Sequence, residues 1–233
     1  KSPRQSSIFE TVRLHGSCER CWEEIRRAAG LGSGEAAWGS LNGLRVLAID
    51  RYSPGRRLPE KQGVGLARKI AGDLALRFSD SGQIRSDWIL CTDADVELPE
   101  DYLQRSASIA PSSSAVLFPF MHVPEGDALQ AQAIALYEEF LNYYVEGLRY
   151  AGSPYAFHTI GSLIGIRATA YAAVRGFPKR EAGEDFYLLN KLAKVGEVTQ
   201  LSGQPVQIRG RVSSRVPFGT GAAVLKIRDR LLR

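Results

Sequence analysis

Apolar positions recur along the chain in two periods, and they divide it into alternating helices and strands. Ser7-Ile-Phe-Glu10 reads as a capping box. Ile8, Val12, Cys18, Trp22, Ile25 and Ala29 follow it as a helical stripe with a break at Gly16, ended by Gly30 to Gly34. Leu44 to Asp50 is a short apolar strand ending in a carboxylate, followed by a polar loop from Arg51 to Gly63. Leu66, Ile70, Leu74 and Leu76 mark the next helix. A strand opens at Trp88, a helix is expected over 99–109, and Ser114 to Phe120 is a strand that Pro119 ends or forces to an edge.

A long helix from Asp127 to Tyr150 carries Leu129, Ile134, Leu136, Tyr137, Phe140, Leu141, Tyr144 and Leu148, a broad apolar band suited to covering one side of a sheet. Leu163 to Arg167 is a strand, with a short helix to Val174. Glu184 to Val195 is a helix whose Phe186, Leu188, Leu189, Leu192 and Val195 are spaced as a buried face. Pro205 to Arg209 is the last strand. Ala222 to Leu232 is a basic amphipathic helix, expected to pack on the domain, with peripheral contact to a membrane as the alternative. This alternation predicts an α/β fold: one Rossmann-like domain over 1–233, with a mixed, mostly parallel sheet flanked by helices. No internal repeat or composition shift marks a boundary.

The stretch Trp88-Ile-Leu-Cys-Thr-Asp93-Ala-Asp95-Val-Glu-Leu-Pro99 runs an apolar strand into two carboxylates one residue apart. Alternate residues of an extended chain point the same way, so Asp93 and Asp95 share a side. In an open α/β sheet, ligands collect at the carboxyl ends of the strands. Two hard oxygen donors there suit Mg²⁺ or Mn²⁺ also bound to substrate phosphates. The alternative is that both acids merely cap a turn. Asp50 is in a similar position at the end of its own strand, and for it the loop cap is the preferred reading.

Gly63-Val-Gly65-Leu-Ala67-Arg68-Lys69 opens a helix with glycines that let backbone approach a ligand and cations that suit a diphosphate, although no Walker loop is present. His158 lies in a loop rich in glycine and aromatic residues, and Arg215 in a second glycine- and arginine-bearing loop. Glu184 and Asp185 lie at a helix's amino end, where a carboxylate is stabilised whether or not it is catalytic.

The net charge of +5 and pI near 9.2 favour anionic partners. The 30 basic residues are scattered, and no nucleic-acid-binding signature is present, so a nucleic-acid partner is not expected. Three cysteines leave an odd count, which predicts a reducing, cytoplasmic compartment. His15, Cys18 and Cys21 have metal-like spacing but fall short of the four ligands of a closed zinc site. With no apolar run near 18 residues and no charged-then-apolar leader, neither a membrane span nor a secretory signal is expected, and any membrane contact would be peripheral, at the inner face.

In order along the chain, these residues resemble the inverting family 2 glycosyltransferases of the GT-A fold. Gly63-Val-Gly65-Leu-Ala67-Arg68 is similar to that family's glycine-alanine-arginine helix start, and Thr92-Asp93-Ala94-Asp95 to its aspartate-any-aspartate. Gly176-Phe177 followed by Gly183-Glu184-Asp185 is similar to its glycine-phenylalanine and glutamate-aspartate pair. The resemblance covers roughly residues 40–221. The family's first βαβ unit, which holds the nucleoside base, has no counterpart strand before Leu44.

The resemblance implies a metal-dependent enzyme moving a sugar from a nucleoside-diphosphate sugar to a hydroxyl acceptor with inversion. Asp95 would bind the divalent cation, and Asp93 the cation or the ribose. Arg68 and Arg215 would contact the diphosphate, and Asp185 would be the catalytic base beside Glu184. His158 is a candidate acceptor or metal contact. Two rivals stand beside this reading. One is a catalytically silent glycosyltransferase-like module. The other is a haloacid-dehalogenase-like phosphatase, disfavoured because Glu97 stands where that family's motif has threonine.

Overall fold

The structure, a computed structural model, describes residues 27, 30–31, 34–41, 44–51, 53–94, 96–105, 109–210 and 219–232. The helix expected over Ser7 to Ala29, with His15, Cys18 and Cys21, therefore falls almost wholly outside the described residues.

The central sheet has four strands in the order β3 (Trp88–Leu90), β7 (Ile164–Arg167), β5 (Ser113–Leu117), β8 (Glu197–Gln200). β7 runs antiparallel to both β3 and β5, and β8 is parallel to β5, so β3, β5 and β8 share one direction with a reversed strand among them. A smaller sheet has the order β4 (Val96–Glu97), β9 (Val206–Gly210), β6 (Phe120–Pro124), with β6 and β9 parallel and β4 antiparallel to β9. The α/β class is as expected, but the mostly parallel sheet is not: four of the six pairings among the described strands are antiparallel. β7 accounts for two of the four, because it runs against both of its neighbours. Pro119, without an N–H to continue the ladder, ends β5 as anticipated, and the chain enters the second sheet as β6, an element missed on sequence.

Leu44–Ile49 also takes a different place. As β2 it pairs antiparallel with β1 (Ala36–Leu41) in a two-stranded hairpin. β1 is rich in small residues and escaped the periodicity reading, whereas Asn42-Gly43 between the arms was the available hairpin signal. Trp38 of the hairpin meets Phe78 of helix α1 (Gly63–Asp80) at 5.6 Å between ring centroids.

Helices α1, α4 (Ala168–Ala173) and α5 (Glu184–Leu192) cover one face of the central sheet. Ile89, Ala115, Leu117, Ile164 and Ile166 face Tyr171, Leu188, Leu189 and Leu192 there. The opposite face carries Val116, Leu163 and Phe118 against Val206 and Tyr102, the latter on α2 (Tyr102–Arg105). That short helix is what the described residues show of the one expected over 99–109. Two serines of β5 are buried but satisfied: Ser113 shares a 2.7 Å hydrogen bond with Thr199, and Ser114 donates to Leu192 O.

The long helix appears as α3 (Ala128–Tyr150), capped by Asp127, which accepts from Gln130 N at 2.8 Å. Its inward face packs on β6 and on α6 (Thr220–Leu231) through Ala133, Ile134, Tyr137 and Val224. Leu136, Phe140 and Tyr144, expected in the same band, are exposed, as are Phe186 and Val195 of the predicted α5 face. A helix that touches its neighbours along one stripe cannot bury an apolar band wider than that stripe.

Tyr171 is held between two glycines. A Cβ at Gly72 would lie 2.4 Å from its hydroxyl and one at Gly176 2.6 Å from its ring, while the hydroxyl donates to Asp73 at 3.0 Å. Gly176 also has φ +66°. Gly176→Ala combines left-handed strain with overpacking and should cost about 2–4 kcal/mol, read as a lower urea midpoint at unchanged slope.

Candidate functional site

Four of the expected site residues meet where β3 ends and α5 begins. Three segments far apart in sequence supply them. Arg68 lies near the start of α1, Asp93 follows β3, and Glu184 and Asp185 form the first turn of α5.

Local geometry explains why they converge. Gly65 allows α1 to start against the loop before α5: its N–H donates to Arg180 O at 3.0 Å, and a Cβ there would lie 2.5 Å from the Pro178 and Arg180 carbonyl oxygens. The glycine thus serves packing within the chain, not the approach of a ligand as expected on sequence. Gly183, at φ +72°, turns that loop into α5. Gly161, at the entry to β7, has its α-carbon against Arg68: a Cβ would meet the guanidinium at 2.1 Å.

Arg68 is buried, with 7% of its surface exposed, and its two arms are engaged. One pairs with Glu184, which is 3% exposed, and the other with Asp93 at 2.5 Å. Burial works against the guanidinium's charge, but Asp93 and Glu184 outweigh it and raise its pKa. Arg68 is therefore the tie that holds two carboxylates in place, in contrast to the open diphosphate cation expected from sequence. Asp93 keeps 46% of its side chain accessible, so it can still offer oxygen to a ligand.

Asp185 sits beside this pair and accepts from Phe186 N at 2.8 Å. Burial raises its carboxyl above the ordinary aspartate range, opposed by Arg68 and reinforced by Asp93. Glu184 is raised in the same way, by burial first and with Arg68 pulling it down. Cys91, which follows β3 two residues before Asp93, is pushed up to about 12 by burial, so it remains a neutral thiol.

Asp50 and His158 lie elsewhere in the network. Asp50, 5% exposed, accepts from Ser53 N and from Arg56 Nη1, both at 3.0 Å, so its contacts are those of the loop cap preferred on sequence. His158 stands edge-on to Phe120 at 5.1 Å, and its buried Nε2 has no hydrogen-bond partner among the described residues. Burial lowers its pKa, which keeps the ring neutral. Asp95 and Arg215 fall outside the described residues.

Carboxylate oxygens are the right donors for a hard divalent cation. Among the described residues, no group of three His, Cys, Asp or Glu side chains could hold a metal ion. Among the described residues, no helix is long and apolar enough to cross a membrane. Compared with known proteins, the chain matches no family model and no curated protein.

Proposed function

We propose that this protein is a glycosyltransferase that transfers a sugar from a nucleoside-diphosphate sugar to a hydroxyl acceptor with inversion at the anomeric carbon. The observation that carries the reading is the convergence of Arg68, Asp93, Glu184 and Asp185 at the carboxyl end of β3. It joins three motifs whose order along the chain had suggested the same chemistry.

In this reading each carboxylate has a separate task. Glu184, sealed against Arg68, fixes the start of α5 and thereby the direction of Asp185. Asp93 faces the ligand side. Asp185, with its proton affinity raised by burial, takes the proton of the acceptor hydroxyl as that oxygen attacks the anomeric carbon, and the nucleoside diphosphate departs with the bonding pair. A Mg²⁺ or Mn²⁺ ion held by Asp93 and Asp95 would neutralise charge on the leaving diphosphate.

The test is a thermal-shift panel of UDP-, GDP- and TDP-sugars with and without Mn²⁺. One donor should raise the melting temperature by about 5–10 °C at hundredfold excess over its Kd, and only with metal. Asp95→Ala should abolish that shift while leaving the unliganded melting temperature unchanged. An unchanged metal-dependent shift in that variant would remove Asp95 from the assignment.

One observation favours a second reading, a silent sugar-binding module. Arg68 is already neutralised by two carboxylates, so it adds little positive charge for a diphosphate. Nucleotide-sugar binding without turnover toward any hydroxyl acceptor would select that reading.

A further inference from the structure

The outward face of α3 carries a continuous stripe of large side chains. Leu136, Phe140, Tyr143, Tyr144 and Tyr150 are spaced at three, four and seven positions, and they are 40%, 58%, 77%, 54% and 97% exposed. Most monomer surfaces scatter such residues singly. Here Phe140, Tyr143, Tyr144 and Tyr150 line a depression of about 510 Å³ together with Glu146, Gly147 and Leu148.

Gly147 lies in the middle of the stripe. A glycine inside a helix costs about 1 kcal/mol relative to alanine, and a Cβ at this position would meet nothing within 4 Å. Among the described residues, no packing contact accounts for it. A bare stretch of helix backbone among exposed rings is what a second helix needs for close approach.

We propose that α3 is the two-fold interface of a homodimer, the stripe of one copy lying antiparallel on the stripe of the other. Three features favour a second copy. The stripe is self-complementary: with the two-fold axis near Tyr143, Leu136 stands opposite the partner subunit's Tyr150, and Phe140 opposite the turn that holds the partner subunit's Gly147.

The area is also adequate. At 150–250 Å² per aromatic side chain, the four exposed rings offer roughly 550 Å² per copy, or about 1,100 Å² across the pair, and a specific interface needs about 1,000 Å². Finally, the rim consists of exposed Glu139 and an ion pair between Glu146 and Arg149. Among the described residues, it lacks the excess of basic residues that would hold a helix on anionic lipid.

Sedimentation velocity on the full 233-residue chain, over a roughly hundredfold range from low micromolar, tests the proposal. The wild type should dimerise reversibly. Tyr143→Lys enters the interface twice and should weaken association by at least about thirtyfold. Gly147→Gln should weaken it too while the melting temperature of the monomer, read for both proteins at the dilute end of the range, holds or rises, since glutamine favours helix; its failure to associate could not then be blamed on misfolding. A wild type that is monomeric throughout, a monomer that floats with anionic vesicles, or a dimer indifferent to both substitutions would each overturn the proposal.

Discussion

Asp185→Asn should lower turnover by at least about a hundredfold while donor binding stays intact, because general-base catalysis is worth about 10² to 10⁴ in rate. The substitution is close to isosteric, and its amide oxygen can still accept from Phe186 N. An amide cannot take up the acceptor's proton. The same variant carries a stability signature whose sign follows from burial. Asp185 has its pKa raised in the folded state, so over the pH range between its ordinary value and its folded value the native chain binds more protons than the unfolded one. Stability contributed by this residue therefore falls as pH rises through that window. Asp185→Asn should match the wild type below the ordinary aspartate pKa and be the more stable protein at neutral pH. Denaturant titrations at several pH values, run beside initial rates, separate the roles: turnover within a few-fold of wild type would leave Asp185 as part of the helix start alone.

Arg68→Ala should be the most damaging single change to stability, costing about 3–5 kcal/mol at neutral pH. Removing one partner of a buried pair strands the other charge. The stranded group is Glu184, 3% exposed, whose carboxyl is already raised by burial and is lowered chiefly by Arg68. Asp93, with its accessible side chain, loses an orienting contact at little cost. Two controls make the argument testable by denaturant melts. The defect should shrink as pH falls and Glu184 takes up a proton, and Glu184→Gln in the Arg68→Ala background should recover part of it, because a neutral amide does not need the guanidinium. A loss of stability independent of pH and of Glu184→Gln would show that Arg68 matters through its packing against Gly161 rather than its charges.

Much of the architecture follows from local pattern. The apolar repeats locate α3 and α6, Pro119 ends β5, and Asp127 caps α3, since periodicity, a missing N–H and a side-chain acceptor act within a few residues. The order of the glycine-alanine-arginine, aspartate and glutamate-aspartate segments also pointed to one site before any contact was known. What chain order could not carry is strand partnership, which depends on sequence-distant neighbours. β4 has only two residues, β8 is Glu-Val-Thr-Gln with a single aliphatic side chain to mark it, and β7 is reversed between two parallel strands.

The tertiary structure alone also assigned the charges. Sequence showed Arg68 as a cation near a phosphate-binding helix start. Only the fold showed that Gly161, Glu184 and Asp93 enclose it, because the fate of a charge is set by burial and by partners 25 to 116 positions away. In the same way, the helical period of α3 marked its aromatic residues as one face. Whether that face is core or surface depended on where α6 and β6 came to lie.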